Sequence, residues 1–280
     1  MFKVKAMSKE DIEFAVQITD TMDWNLTEKD FELMMSLEPE GCFILLHNSE
    51  RIGVATTVSF GKVGWIGNVI VDEKYRRKGA GGTLLRHAMA FLKSRGVETI
   101  GLYSYKEKVD FYTQLGFRSE SEFTVLRGEA FSSIGEEVKV PSLGDGTIQK
   151  IIDFDGFYFG ASREKLLKKI VNTKENLCYY YSEHEGVSGY IMAKVYGRYV
   201  ELGPLVCRRG RGDVAVALLK AVLNRLKDFE VSLCLPKREK NIVEMLLNAG
   251  FREEFPVVRM FSGPPAFKDC IYIAESLERG

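Results

Sequence analysis

Apolar positions fall into a succession of strand and helix periods that recurs twice along the chain. Residues 2–6 alternate and predict a strand. Ser8, with Asp11 three positions on, opens a helix that places Ile12, Ala15 and Val16 on one face and Ile18 at its edge. Asp23-Trp24-Asn25 breaks it. Thr27 with Asp30 repeats the capping signature for a second helix to about residue 36, ended by Pro39 and Gly41. Runs at 42–47 and 52–58, joined by Asn48-Ser49-Glu50, predict a hairpin, and a third apolar run covers 65–71. A basic, glycine-rich loop leads into an amphipathic helix over 80–95, with Leu84, Leu85, Ala88, Met89, Phe91 and Leu92 on its buried side and Gly96 as its cap. A strand at 99–103, a short helix at 109–115 closed by Gly116 and a strand at 123–127 complete the unit.

Residues 128–147 are rich in Gly, Ser and Glu, contain Pro141 and read as a connector. The same order then returns. Helical patterns start at 148 and around 163–170, a hairpin covers 177–182 and 187–195, and an apolar run follows at 200–206. A long helix at 215–227, a strand at 231–235, a helix at 242–249 and a last strand at 257–261 close the series. One offset relates the landmarks: Gly116-Phe117 and Gly250-Phe251 are 250 minus 116, or 134, positions apart, and Leu84-Leu85 matches Leu218-Leu219 at the same spacing. The pattern predicts an α/β (α+β) chain of two tandem domains, 1–130 and 147–280, joined by a linker at 131–146. Each domain is expected to hold a mixed, mostly antiparallel sheet flanked by helices.

Composition adds little to this picture and removes several alternatives. The chain has 280 residues, 45% of them hydrophobic and 28% charged, with zero formal net charge. That is ordinary for a globular protein and offers no global field for nucleic acid or a membrane surface. No apolar run approaches the roughly 18 residues of a membrane span, and the first residues lack the apolar stretch of a signal peptide. Five scattered cysteines without a C-x-x-C pair, and three histidines far apart (His47, His87, His184), argue against a disulfide framework and a dedicated metal site. The expected location is the cytoplasm.

The loop carries the chemistry. Lys74, Arg76, Arg77 and Lys78 are followed at once by Gly79, Gly81 and Gly82, and then by the helix. Glycines let backbone N–H groups approach an anion, and the first turn of a helix adds unpaired donors and the positive end of its dipole. Strand, glycine loop and helix start thus form a potential pyrophosphate site. The residues match neither the G-x-x-x-x-G-K-[ST] loop nor G-x-G-x-x-G, since Leu84 holds the third glycine position. By themselves they also fit a plain glycine corner beside a solvated basic patch.

Arg76-Arg77-Lys78-Gly79-Ala80-Gly81 fits the [QR]-x-x-G-x-[GA] pattern of the GNAT superfamily of N-acetyltransferases, and Phe111-Tyr112-Thr113-Gln114-Leu115-Gly116-Phe117 resembles a second segment of that family. The resemblance spans about residues 3–130. The second half resembles the smaller domain that follows such a domain in a two-domain subgroup, through Phe159-Gly160-Ala161-Ser162-Arg163, Gly203-Pro204-Leu205 and Arg259-Met260.

The resemblance implies acetyl-CoA as co-substrate and no metal. In the cofactor loop that starts at Arg76, the backbone N–H groups of Arg77, Lys78, Gly79, Ala80, Gly81 and Gly82 would hold its pyrophosphate, with Thr83 close by, and the strand end Val69, Ile70 and Val71 would pair with the pantetheine amides as an added strand. Phe111 and Lys108 would flank the cofactor. Tyr112 stands where the family often has the acid that protonates the leaving sulfur. For the base, Asp72 is a candidate that equally suits a capping role; Asn68 is a neighbour on the same strand. Trp24 and Asn25, in the break between the first helices, and Tyr103 are candidates for the acceptor pocket.

At the offset of 134, Gly79, Gly81, Gly82 and Tyr112 become Asp213, Ala215, Val216 and Leu246, so the second domain is expected to be cofactor-free. It is expected instead to wall the acceptor site, with Asp155, Tyr158 and Arg163 as contacts. The function this implies is acetyl transfer to a primary amine of a small molecule or amino acid. A non-catalytic acyl-CoA sensor and a peptide N-acetyltransferase stand as alternatives. The acceptor and the oligomeric state stay open.

Overall fold

The computed structural model describes residues 1–130, 146–183 and 186–280; the linker expected at 131–146 lies, except for its last residue, outside the described residues. Both expected helix starts are capped. Asp11 and Asp30 accept from the backbone N–H of Ser8 and Thr27 at 2.9 and 2.7 Å, each closing a capping box. The first box opens a single 3₁₀ turn that runs into α1 (Ile12–Asp20), and the second opens α2 (Glu28–Leu37).

Strands β1 (Phe2–Ala6), β2 (Cys42–His47), β3 (Glu50–Phe60) and β4 (Val63–Val71) pair antiparallel in sequence order. Helix α3 (Ala80–Ser94) crosses over to β5 (Thr99–Tyr105), parallel to β4; α4 (Val109–Thr113) and β6 (Arg118–Glu129) follow. The second half supplies α5 (Ile148–Phe159), α6 (Glu164–Val171), β7 (Leu177–Glu183), β8 (Gly186–Tyr196), β9 (Tyr199–Arg208), α7 (Gly212–Arg225), β10 (Glu230–Pro236), α8 (Lys240–Asn248) and β11 (Arg252–Ser262). One further strand, β12 (Cys270–Ile273), lies beyond the last strand expected from the pattern.

The halves share one sheet, in the order β1-β2-β3-β4-β5-β11-β6-β10-β9-β8-β7. Their last strands are exchanged. β11 of the second half lies between β5 and β6, and β6 of the first half lies between β11 and β10. The expectation of a mixed sheet in each domain is thereby refined: the two sheets are fused, and each half closes the other.

Three apolar clusters follow from this layout. Leu84, Leu85, Ala88 and Leu92 of α3 pack on Phe43, Leu45 and Ile66, all essentially solvent-free. Each buried Leu, Ile or Phe among them contributes about 1.5–3 kcal/mol of burial. Leu218, Leu219 and Val222 of α7 repeat the arrangement over β8–β10. On the opposite face a third cluster joins Phe31, Met34 and Trp65 to Ile151, Phe159 and Tyr272, so this core belongs to both halves.

Candidate active site

β4 and β5 pair over only three positions, Val63↔Thr99, Gly64↔Ile100 and Trp65↔Gly101, and then part. A bulge in β4 starts the divergence. Thr56 faces Gly67 and Val54 faces Ile70, so Asn68 and Val69 together oppose Ala55. Asn68 takes a positive φ of 52° there, and its Nδ2 donates to Thr56 Oγ1 at 3.2 Å. The bulge frees the β4 edge at Val69, Ile70 and Val71, which lines a cleft of about 2600 Å³ between the halves.

The glycine loop meets this cleft at the start of α3. Gly79 sits at φ 83°, a conformation that a side chain disfavours by about 1–2 kcal/mol. A Cβ there would touch nothing, so glycine answers the backbone, not crowding. Thr83 N–H makes the first helical bond, to Gly79 O at 3.0 Å, leaving the preceding amides of the turn as unpaired donors. Arg76, Arg77, Gly79, Gly81 and Gly82 line the cleft, as do Lys108 and Phe111 from the other side. Arg76 is held in place by Nε donating to Val71 O at 2.9 Å.

Three residues of the expected loop set do not line it. Lys78 reaches over the Tyr75 ring at 5.8 Å, Ala80 is buried in the core beneath α3, and the Thr83 hydroxyl donates back to Gly79 O. Arg86 does line it and was missed. Its guanidinium lies beside Gly82, one helical turn on, a relation that four-residue spacing on a helix makes legible.

Tyr112 reaches the same cleft from α4, its ring packed between Phe111 and Phe117. Burial pushes its phenol up to about 12, so it stays protonated at neutral pH and can offer its proton to an anion. Asp72, the candidate base, takes the capping role. Its carboxylate accepts from Lys74 N–H at 2.9 Å, capping the turn Glu73–Tyr75, and it does not line the cleft. Asn68 has no titratable group.

On the acceptor side, Trp24 and Asn25 line the cleft from the α1–α2 connection. Trp24 Nε1 donates to the Tyr105 hydroxyl at 3.0 Å, which ties that connection to β5; Asn25 Nδ2 bonds back to Asp23 O. Tyr103 lines the cleft too, and its hydroxyl is buried without a protein partner. It faces Arg259 across the β5–β11 pair. Burial raises its pKa well above 10 despite the opposing Arg259 charge.

The second half closes the cleft with Leu166 and Ile170 of α6 and Tyr199 and Glu201 of β9. Asp155, Tyr158 and Arg163, expected as acceptor contacts, do not reach it. Asp155 and Arg163 form a fully buried ion pair at 2.6 Å. Arg163 also donates to Gly280 O at 2.8 Å and to the Tyr272 hydroxyl at 3.3 Å, while Tyr158 O accepts from Lys268 N–H at 2.8 Å. These residues hold the segment that follows β11.

That segment fills the second half's own splay. β9 and β10 also pair over only three positions and part beyond a bulge at Gly203-Pro204. β12 pairs with β9 from Leu205 to Arg208, and Ala274 N–H reaches Cys234 O of β10 at 2.8 Å. The strand edge corresponding to Val69–Val71 is therefore taken by the chain itself. Arg209 is paired with Asp269 and Glu239, Arg211 with Asp213 and Glu183, and Leu246 is buried where the first half has Tyr112. Beyond β12, residues 274–279 run into the first half's cleft and line it. Nothing in the polar pattern Glu-Ser-Leu-Glu-Arg-Gly signals this.

A splayed β4–β5 pair, a glycine loop at a helix start and a buried tyrosine thus meet in one cleft. The chain belongs to the GNAT acetyltransferases: the Acetyltransferase (GNAT) family profile matches residues 7–117 and the Acetyltransferase (GNAT) domain profile matches residues 151–272. It is a two-domain N-acetyltransferase. Among solved structures, a putative acetyltransferase from Pyrococcus horikoshii aligns over 100% of this chain and 96% of its own, with TM-score 0.82 and 22% identity. A GCN5-related N-acetyltransferase from Sphaerobacter thermophilus covers 96% and 98%, with TM-score 0.67 and 14% identity. A tandem GNAT protein from the clavulanic acid biosynthesis pathway covers 95% and 100%, with TM-score 0.58 and 13% identity. At these identities the likeness is one of fold. A search of curated proteins finds no match. Among the described residues, no helix is long and apolar enough to cross a membrane, and no three His, Cys, Asp or Glu side chains gather as a metal site.

Proposed function

We propose that the chain moves the acetyl group of acetyl-CoA directly to a primary amine of a small molecule or amino acid, in the first half's cleft. The observation that carries this reading is the contrast between the two splays: the first is open, beside free helix-start amides and Tyr112, while the second is occupied by β12. Residues 1–130 hold the cofactor, with Arg76, Arg77, Arg86 and Lys108 at the phosphate end and Val69–Val71 as the pairing edge. Residues 147–280 supply the far wall and confine the acceptor, which favours a small molecule over a peptide. Tyr112 gives the leaving thiolate a proton. Five free cysteines, four of them buried, suit a reducing compartment, and we place the protein in the cytoplasm.

The test is a thiol-release assay with acetyl-CoA and a panel of primary amines, with the acetylated product identified by mass spectrometry. Binding of acetyl-CoA without turnover on any amine would refute transfer and leave a sensor.

A further inference from the structure

We infer that Glu278, delivered into the first half's cleft by the segment that follows β12, is the general base that takes the proton from the acceptor amine. The inference rests on the acetyl-transfer reading above and adds to it a proton acceptor supplied by the second half.

Position comes first. Trp65 Nε1 donates to Leu277 O at 3.2 Å, which pins the segment to β4. The next residue, Glu278, lies with its Cα and Cβ against Gly67, immediately before the bulge and at the point where β4 and β5 part. Its side chain therefore branches from the apex of the open splay, and it lines the cleft together with Tyr112 and Trp24. Asp23, Glu28, Asp30, Glu73 and Glu107 of the first half also line the cleft, but Asp23, Glu28, Glu73 and Glu107 are exposed and Asp30 caps α2 through Thr27, while Asp72 is turned into its cap.

The surrounding charges leave this carboxylate available. Lys194 pairs with Glu275 and with Glu201 at 2.7 Å, and Arg279 pairs with Glu275 at 2.8 Å and Glu201 at 3.3 Å. Both buried cations are thus committed to two other carboxylates, and among the described residues Glu278 makes no ion pair. The groups that act on it are Glu201 and Tyr199 of β9, Tyr105 of β5, Cys234 of β10, Arg279 beside it and Ser276, whose hydrogen bond favours the charged carboxylate. Burial first and the Glu201 charge second raise its pKa to about 7, against the pull of Arg279. A base poised there accepts and releases protons at neutral pH. The segment is also held firmly: Arg163 clamps Gly280 O, and Ser276 Oγ accepts from Glu278 and Arg279 N–H.

The proton count closes. The ammonium R–NH₃⁺ gives one proton to Glu278, and the freed lone pair forms the C–N bond to the thioester carbon. As the C–S bond breaks, sulfur leaves with the Tyr112 proton. The second proton of the new N–C centre returns to the Tyr112 oxygen, and Glu278 releases its proton to solvent. The sum is acetyl-CoA and ammonium in, amide, free thiol and one proton out.

The test compares the full chain with Glu278→Gln and Glu278→Asp, using acetyl-CoA and spermidine, glucosamine, cadaverine and L-phenylalanine as amine probes. Glu278→Gln is expected to lower kcat/KM for the amine about 10²-fold. It should leave acetyl-CoA affinity by calorimetry unchanged and abolish the fall in kcat/KM that the unaltered chain shows below about pH 7. Glu278→Asp should keep that acidic limb at reduced kcat, and it carries the test if Glu278→Gln does not fold. Turnover of Glu278→Gln within threefold, or an unaltered acidic limb in it, would overturn the inference. So would an equal loss at every pH accompanied by lost acetyl-CoA binding, which marks a structural role. If the unaltered chain binds acetyl-CoA but acetylates none of the probes, the transfer reading itself falls and the role of Glu278 with it.

Discussion

Gly67→Ala is the smallest change that should move the 270–280 segment. A Cβ at position 67 would stand 2.6 Å from Glu278 Cα and 2.8 Å from its Cβ and carbonyl oxygen. Carbon atoms in contact prefer about 3.5–4.0 Å, so the segment must recede by about 1 Å. It cannot swing aside as a flexible tip would, since Leu277 O is held by Trp65 and Gly280 O by Arg163. Gly67 is also outside the left-handed region, so the added methyl brings crowding without backbone strain. Overpacking of this kind costs about 1–3 kcal/mol. A 1 Å displacement of a reacting group lowers rate by up to about 10²-fold. Urea denaturation of the full chain and steady-state acetyl transfer measure the two effects separately. Stability within about 0.5 kcal/mol of the unaltered chain, together with unchanged kcat, would refute the claim that this segment is pinned into the cleft.

Tyr112→Phe should lower kcat roughly 10²-fold at unchanged acetyl-CoA affinity; an equal change in both would reduce the tyrosine to packing. Gly82→Val copies the residue that the second half carries at the matching position, and it crowds the Arg86 guanidinium, whose nitrogens lie 3.3 Å from a Cβ there. It should weaken acetyl-CoA binding at least about 10-fold by calorimetry, because close backbone approach to the anion is lost. Asp155→Ala strips the partner from a buried guanidinium and should cost about 3–5 kcal/mol by urea denaturation, whereas a loss below 1 kcal/mol would show that water reaches Arg163. Asp11 is held at about 2: burial opposes this, but hydrogen bonds from Lys5, Ser8 and Arg51 prevail. Its contribution is complete above its unfolded pKa near about 3.9 and fades as pH falls through about 2. The stability gap between the unaltered chain and Asp11→Asn should therefore narrow from about pH 4 to pH 2, and a gap that widened would contradict the ion-pair assignment.

Local signals were the legible ones. Ser8 with Asp11 and Thr27 with Asp30 announced capped helices, and the apolar stripe of α3 announced its buried face, because each depends on neighbours within a turn. The constant offset exposed the repeat. Pairing between distant strands left no such trace: β6 and β11 each open on charged, exposed residues and turn apolar only at their middle, a pattern that is the same whichever strand lies beside them. At the site, the glycines and Tyr112 stood out by type and spacing. Asp72 was ambiguous because a cap and a base use the same side chain, and only the bond to Lys74 N–H separates them. β12 is four residues behind a Gly-Pro-Pro turn, too short for a period, and Glu278 sits in a polar run that reads as solvated surface.

The exchange of β6 and β11 makes the two halves joint owners of one structure. A piece holding only residues 1–130 would present a bare β5 edge, and the complementary piece a bare β10 edge, each a template for self-association. The second half is thus retained by hydrogen-bond geometry even though its own cofactor groove is filled. Its loop carries Asp213 and Val216 at the start of α7, while Arg259 of β11 faces Tyr103 in the first half's cleft. The crossing of strands makes each half the completion of the other's sheet.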